Sequence, residues 1–150
     1  AIQLNAQELR NCIYRGSYND LLKDLSADRN FQLLLGLKEP HYRMQDRELI
    51  LRFFALYHST YLKYAPPMKR FLNKEMEKYR NLTYTDEKKI KDVFKKSVGL
   101  SITVFGDKAF HRFVTGGLTP GRLRVCLAGF NRTDRDQWQA QITHFFEQAV

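Results

Sequence analysis

Residues 45–58 read QDRELILRFFALYH and form the most apolar helical stretch of the chain. Most of its apolar side chains recur three and four residues apart, on one face of a helix: Leu49, Ile50, Phe53, Phe54 and Tyr57. Leu51 and Leu56 add apolar surface to the opposite flank. A helix that is apolar on most sides is buried on most sides. The stretch therefore predicts a central helix around which the rest of the chain packs.

On both sides of this stretch the apolar periodicity remains helical, and no convincing strand occurs. A short apolar turn is predicted over 31–35, and the other predicted helices cover 5–15, 18–25, 66–79, 85–105, 107–113, 119–130 and the residues from 133 onward. The connections are short, and there is no repeat or low-complexity linker. The pattern predicts one all-α domain over residues 1–150, a bundle-like arrangement of about seven or eight helices.

The N-terminal residues AIQLNAQELRNCIYRG contain a well-marked helix start. Asn5 is a good N-cap, and Glu8 stands three residues later, which is the spacing of a capping box. Leu4 and Leu9 are spaced to close a hydrophobic staple around that cap. Gly16 then suits the end of the helix, because a glycine adopts the left-handed conformation without steric cost.

The polar residues of this first helix need a separate explanation. Arg10 and Asn11 lie beside Leu9 and Ile13, which the pattern places in the interior. A half-buried polar group without a partner costs about 1 to 3 kcal/mol. One interpretation is that these groups brace the first helix against the second, with Arg15 and Asp20 as candidate partners.

Three stretches of the chain resemble the GmrSD family of modification-dependent restriction endonucleases. Residues 4–16 are similar to its LNxQELRNxxYRG signature, residues 46–55 to its DxELxLRFFA helix, and residues 68–73 to its MxxFLN helix. In that family the signature follows a ParB-like nuclease core that carries a DGQQR motif. Neither DGQQR nor the RLN that usually precedes the signature occurs here. The resemblance implies that the chain is a helical part of a longer protein and lacks the catalytic core.

The resemblance also implies a function and a set of contact residues. It predicts a helical scaffold and DNA-facing accessory domain whose partner is an upstream ParB-like nuclease core of the same polypeptide. The residues that would line the junction with that core are Asn5, Gln7, Glu8, Arg10, Asn11 and Arg15. In that case the chain on its own should expose this polar patch. The parent protein would use a divalent metal and a nucleoside triphosphate to cleave modified foreign DNA, with no cofactor bound by this part.

The charge of the chain favours a polyanionic partner. Lys and Arg number 25 against 16 Asp and Glu, which gives a net charge of +9 and a pI near 9.7. Neutralising phosphates with such cations supplies most of the sequence-independent affinity for nucleic acids. The best local candidate is one half of the predicted helix 85–105, which carries Lys88, Lys89, Lys91, Lys95 and Lys96. A merely solvated face opposite a core stripe predicts the same residues.

Motifs for catalysis are weak. The four histidines are scattered, no pair has metal-ligand spacing on a helix, and we expect neither a metal site nor catalysis by this part alone. The aromatic residues near the lysines, Tyr79, Tyr84 and Phe94, fit core or linker positions better than base stacking. The alternative function is therefore a protein–protein interaction module that never contacts nucleic acid.

The composition also indicates the cellular location of the protein. No apolar run approaches the length of about 18 residues that a transmembrane helix needs, and no secretory leader is evident. Cys12 and Cys126 lie within apolar helical patterns, which is typical of reduced core thiols. Together these features predict a cytoplasmic protein without a membrane partner.

Overall fold

The computed structural model describes residues 3–59, 63–106, 112–114 and 117–119, and six α-helices lie in these ranges. In chain order they are α1 (Ala6–Ile13), α2 (Ser17–Ser26), α3 (Arg29–Leu35), α4 (Gln45–Ser59), α5 (Met68–Lys78) and α6 (Tyr84–Phe105). Two three-residue strands follow, β1 (Arg112–Val114) and β2 (Gly117–Thr119). They pair antiparallel, with Phe113 opposite Leu118.

The helical fold class predicted from the sequence is confirmed over residues 3–59 and 63–106. The count of seven or eight helices exceeds the six that the described residues contain. The helices predicted over 119–130 and from 133 onward lie outside the described residues, apart from Thr119 in β2. The helix predicted over 107–113 is wrong at its end, because Arg112–Val114 form a strand. Phe113 and Val114 are residue types that pack well on a pleated strand, so helical periodicity over so few residues decides little.

The central position predicted for residues 45–58 is confirmed. Ile50, Leu51, Phe54 and Ala55 of α4 are buried, and α1, α2 and α5 all pack against this helix. The ring centroid of Phe94, on α6, lies 6.1 Å from that of Phe54. The core therefore forms around α4, as expected for a helix that is apolar on more than one side.

Within residues 3–59 and 63–106, no helix combines the length and the apolarity that crossing a bilayer requires.

The connection between α1 and α2 is fixed to the segment that follows α5. The Arg80 guanidinium donates from Nε to the Arg15 carbonyl oxygen at 3.0 Å, and the Arg80 carbonyl oxygen accepts from the Tyr18 amide at 3.3 Å. Ser17 Oγ accepts from the Leu82 amide at 2.6 Å. At the centre of these contacts Gly16 lies so close to Arg80 that a Cβ would overlap the Arg80 carbonyl oxygen. Gly16 is therefore required by a close approach of two backbone segments.

We predict that Gly16→Ala destabilises the protein by about 1 to 3 kcal/mol, because the added methyl group must push the two backbone segments apart. The matched control is Gly99→Ala, in the interior of α6, where a Cβ meets no atom within 4 Å. There the same change should stabilise the helix by up to about 1 kcal/mol. Urea denaturation of the two variants measures both effects, and equal stability of the two would contradict the close approach at Gly16.

Candidate functional site

Helix α1 turns its polar side chains toward the protein and its apolar side chains toward solvent. Gln7 and Arg10 are only 1% and 3% exposed, whereas Leu9 and Ile13 are 41% and 61% exposed. Leu4, just before the helix, is 55% exposed. The prediction that Leu9 and Ile13 lie in the interior is therefore wrong. It assumed that the apolar stripe of a helix faces the core, which is the ordinary arrangement but not the one adopted here.

The same orientation changes the prediction for the cysteines. Cys12 lies on the outward side of α1 and is exposed, so the expectation of a core thiol is wrong for this residue. Cys126 lies outside the described residues.

We use the name outer face of α1 for the three large apolar side chains at positions 4, 9 and 13, which are Leu4, Leu9 and Ile13.

The inward side of α1 is held by the Arg10 guanidinium. Its Nη1 donates to Gln7 Oε1 at 2.8 Å and to Glu48 Oε2, on α4, at 3.0 Å. Its Nε donates to Asn73 Oδ1, on α5, at 3.0 Å. Arg52 donates to the other oxygen of the same Glu48 carboxylate. We call these five residues, Gln7, Arg10, Glu48, Arg52 and Asn73, the Arg10 network.

The Arg10 network is rich in donors. It holds two guanidinium groups but one carboxylate, that of Glu48. Two of its buried donors, Gln7 Nε2 and Arg52 Nε, find no acceptor among the described residues. Glu48 is therefore the group on which the charge balance of the network depends, since it accepts from both arginines.

A second set of contacts anchors the start of α1 to the loop before α4. Asn5 Oδ1 accepts from the Glu8 amide at 2.8 Å, and Glu8 Oε2 accepts from the Asn5 amide at 2.6 Å, so the predicted capping box is present. Asn5 Nδ2 donates to the Arg43 carbonyl oxygen at 2.8 Å, and Arg43 Nε donates to Glu8 Oε1 at 3.0 Å. Farther along, Arg47 Nη1 donates to Asn11 Oδ1 at 3.3 Å.

The capping contacts also set the charge state of Glu8. The hydrogen bond from the Asn5 amide, together with the nearby Arg43 guanidinium, lowers the pKa of the Glu8 carboxyl below its ordinary value of 4.5. A lowered folded-state pKa means that the carboxylate contributes stability above about pH 4.5 and loses that contribution as the pH falls through the lowered value. The cap is therefore fully formed at neutral pH.

These contacts decide how the six predicted junction residues are placed. Asn5, Gln7, Glu8, Arg10 and Asn11 all make hydrogen bonds within the protein, and Arg15 alone among the six has an exposed side chain. The expectation that the chain exposes this polar patch is wrong for Gln7 and Arg10, which are buried. Asn11 also makes a hydrogen bond within the protein, so these three junction side chains have internal partners.

The bracing interpretation is right about the internal partners and wrong about which helices supply them. Arg15 and Asp20 were the expected counterparts on the way to the second helix, and both side chains are exposed. The partners that α1 uses come instead from α4 and α5. Glu48 and Asn73 lie 38 and 63 residues away from Arg10 in the sequence, so no local spacing predicts these contacts.

The three stretches that carry the GmrSD resemblance meet in these contacts. Arg10 belongs to the first stretch, Glu48 and Arg52 to the second, and Asn73 to the third. The structure therefore joins the three stretches through one polar network, in which Arg10 links α1 to α4 and to α5.

The lysine face of α6, which we define as Lys88, Lys89, Lys91, Lys95 and Lys96, lies opposite the core stripe of that helix. Its core side is formed by Ile90, Phe94 and Val98, all buried. Four of the five lysines are exposed, and Lys91 is half-buried. Lys91 Nζ donates to Glu87 Oε1 at 2.6 Å, and this hydrogen bond raises the pKa of Lys91. Four lysines of the face are thus presented to solvent.

Of the aromatic residues near the lysines, Phe94 is in the core as predicted and Tyr79 is half-buried. Tyr84 differs, because it is 83% exposed at the first position of α6. The sequence pattern near a helix start contains too few turns to show which way such a side chain points.

Sequence reasoning also missed a buried polar cluster between α2, α4 and α5. The His58 Nδ1 atom lies 2.6 Å from Glu75 Oε1, which also accepts from the Tyr18 hydroxyl at 3.3 Å. The Tyr18 pKa is raised well above its ordinary value by burial and by the neighbouring Glu75 carboxylate. The three side chains come from three helices and are largely buried, so the cluster links helices. Among the described residues no three His, Cys, Asp or Glu side chains are grouped so as to hold a metal ion.

Comparison with known proteins finds no matching protein-family model, no matching curated protein and no matching solved structure. The resemblance to the GmrSD family therefore rests on the three short stretches alone.

We predict that Arg10→Met lowers the free energy of unfolding by about 3 kcal/mol, because it leaves the Gln7 and Asn73 side-chain oxygens without their donor and removes one partner of Glu48. The matched control is Arg15→Met, an exposed arginine five residues later, which should change stability by less than about 0.5 kcal/mol. Urea denaturation measures both. A loss below about 1 kcal/mol for Arg10→Met would show that the network does not hold α1 in place.

Proposed function

We propose that this chain is a helical accessory domain of a GmrSD-like modification-dependent restriction nuclease, acting in defence against phage, and that it faces DNA through α6. The observation that carries the DNA contact is the lysine face, in which five lysines share one side of a helix and four are exposed. The resemblance of residues 4–16, 46–55 and 68–73 supports the family.

The physical basis of this contact is phosphate neutralisation. The net charge of +9 makes approach to a polyanion favourable, and counterions released from the phosphates drive the binding. Such a contact positions the domain on the DNA without reading its sequence. Discrimination of a modified base would then belong to another part of the parent protein.

The contact with the ParB-like nuclease core is proposed to use the outer face of α1. Five of the six polar residues that the resemblance assigns to that junction, all but Arg15, make side-chain hydrogen bonds within the protein. By holding Arg10 inward, the network turns Leu4, Leu9 and Ile13 outward, and an apolar side chain exposed on a well-ordered helix is suited to burial against a partner. The polar residues thus position the contact surface, and the apolar residues form it.

In this proposal the chain supplies no catalytic group. The parent protein would cleave modified foreign DNA with a divalent metal and couple cleavage to nucleotide hydrolysis, and both would be bound outside this domain. The domain would orient the DNA relative to the catalytic core, because it contacts DNA through the lysine face and the core through the outer face of α1.

A second candidate function is a protein–protein interaction module that does not contact nucleic acid. The observation that favours it is again the outer face of α1, because three large apolar side chains are exposed within ten residues and a few such residues carry most of the binding energy of an interface. Under this alternative the lysine face is only the solvated side of α6.

A salt series of duplex binding separates the two functions. We predict that a short DNA duplex binds at low salt and that the logarithm of its affinity falls linearly with the logarithm of the salt concentration. Charge reversal of Lys88, Lys91 and Lys95 to Glu should weaken binding at least tenfold. It should also reduce the slope by about 2, because Lys91 is already paired with Glu87.

The control reverses the same number of charges at Lys38, Lys69 and Lys74, which are exposed and lie outside α6. Fluorescence anisotropy with a labelled duplex measures both variants. An equal loss in the control would show that net charge alone attracts DNA. Undetectable binding of the unmodified protein at low salt would remove the DNA contact and leave the interaction module.

A further inference from the structure

We propose that α6 binds nucleic acid as a single strand, by stacking an unpaired base on Tyr84 and contacting phosphates with the lysines that follow it. This inference rests on the nucleic-acid contact proposed above and names the form of nucleic acid that the same helix prefers.

The residues concerned lie in one line along the helix. Tyr84, Lys88, Lys91 and Lys95 stand at positions i, i+4, i+7 and i+11, so each lies one helical turn beyond the previous one. With a rise of 1.5 Å per residue, the line is about 16 Å long. We call Lys88, Lys91 and Lys95 the lysine stripe, to distinguish them from the wider lysine face.

The exposure of Tyr84 is what distinguishes this surface from an ordinary solvated helix face. The side chain is 83% exposed at the first turn of α6, next to the Thr83 cap, whose hydroxyl accepts from the Asp86 amide at 3.2 Å. The cap holds the first turn in place, so the tyrosine is presented on ordered backbone. An exposed aromatic ring in line with cations is the combination that single-strand-binding surfaces use.

Stacking selects unpaired bases for a geometric reason. In a duplex both faces of a base are covered by its neighbours, so a protein ring reaches them only after the base has been unstacked. In a single strand the base faces are open, and stacking on an aromatic side chain is tolerant of sequence because every base has a π-face.

The charges around the stripe decide which lysines contact phosphates. Lys91 is held by Glu87 at 2.6 Å and is only partly exposed, whereas Lys88 and Lys95 are exposed. Asp92 is exposed beside them and repels phosphates locally. Lys88 and Lys95 are therefore expected to supply most of the phosphate contact, one turn and three turns beyond the ring.

Fluorescence anisotropy tests the proposal, with a labelled oligothymidylate of about ten nucleotides and a labelled duplex of the same length, both at low salt. The single strand should bind more tightly than the duplex. Tyr84→Leu should weaken single-strand binding by about tenfold and change duplex binding by less than about twofold, because the ring stacks only on open bases. Tyr84→Phe should retain single-strand binding, since it keeps the π-face.

The matched control is Tyr42→Leu, which removes a tyrosine that is similarly exposed, at 85%, but lies outside α6, in the loop before α4. It should leave both affinities unchanged. Circular dichroism checks that each variant keeps its helix content, which is expected because both side chains lie outside the core.

The outcomes separate this inference from the proposed function. If the duplex binds through the lysine face while Tyr84→Leu has no effect on single-strand binding, the stacking proposal is overturned and the DNA contact stands. An equal loss in Tyr42→Leu also overturns the role of Tyr84. If neither nucleic acid binds at low salt, both proposals fail together.

Discussion

The placement of α1 depends on satisfying one buried guanidinium. Removing a charged group from water costs several kcal/mol, and the cost is recovered only when the group has well-placed partners. Arg10 is 3% exposed, and its three acceptors come from α1, α4 and α5. Since these partners are available only when the polar side of α1 faces inward, the burial of Arg10 fixes both the position and the rotation of the helix.

This constraint has a consequence for the surface of the protein. A helix with polar residues inside must leave its apolar residues outside, and Leu9 and Ile13 are accordingly exposed, next to the exposed Leu4 that precedes the helix. The same logic does not apply to α6, where the ordinary arrangement of apolar core and charged surface holds. The molecule therefore presents two different surfaces, an apolar one on α1 and a cationic one on α6. The proposed accessory role would use both surfaces.

The helices themselves could be predicted from the sequence because their signals are local. The capping box of Asn5 and Glu8 depends on residues three apart, and the apolar periodicity of residues 45–58 recurs over four turns. For the same reason the central position of α4 and the solvent-facing side of α6 agree with the sequence pattern. The pattern is less exact about single side chains, since Tyr57 of the predicted apolar face is 41% exposed and Leu51 of the opposite flank is fully buried. Each of these features is decided within one element.

The candidate site could be predicted only in part, because its decisive contacts are not local. The sequence singled out Arg10 as a polar residue in need of a partner, but Glu48 and Asn73 lie on other helices. Apolar periodicity alone placed Leu9 in the core, since it could not weigh a buried ion pair against a small apolar stripe. The Tyr18, His58 and Glu75 cluster was missed for the same reason, as its members are far apart in the chain.

The rotation of α1 is the central claim, and solvent paramagnetic relaxation enhancement measured by NMR tests it most directly. With a soluble paramagnetic agent, the account predicts strong enhancement at the methyl groups of Leu9 and Ile13. It predicts little enhancement at the Arg10 Nε–H, comparable with that at the methyl groups of Leu72, which is 1% exposed. Weak enhancement at Leu9 and Ile13 together with strong enhancement at Arg10 would contradict the account.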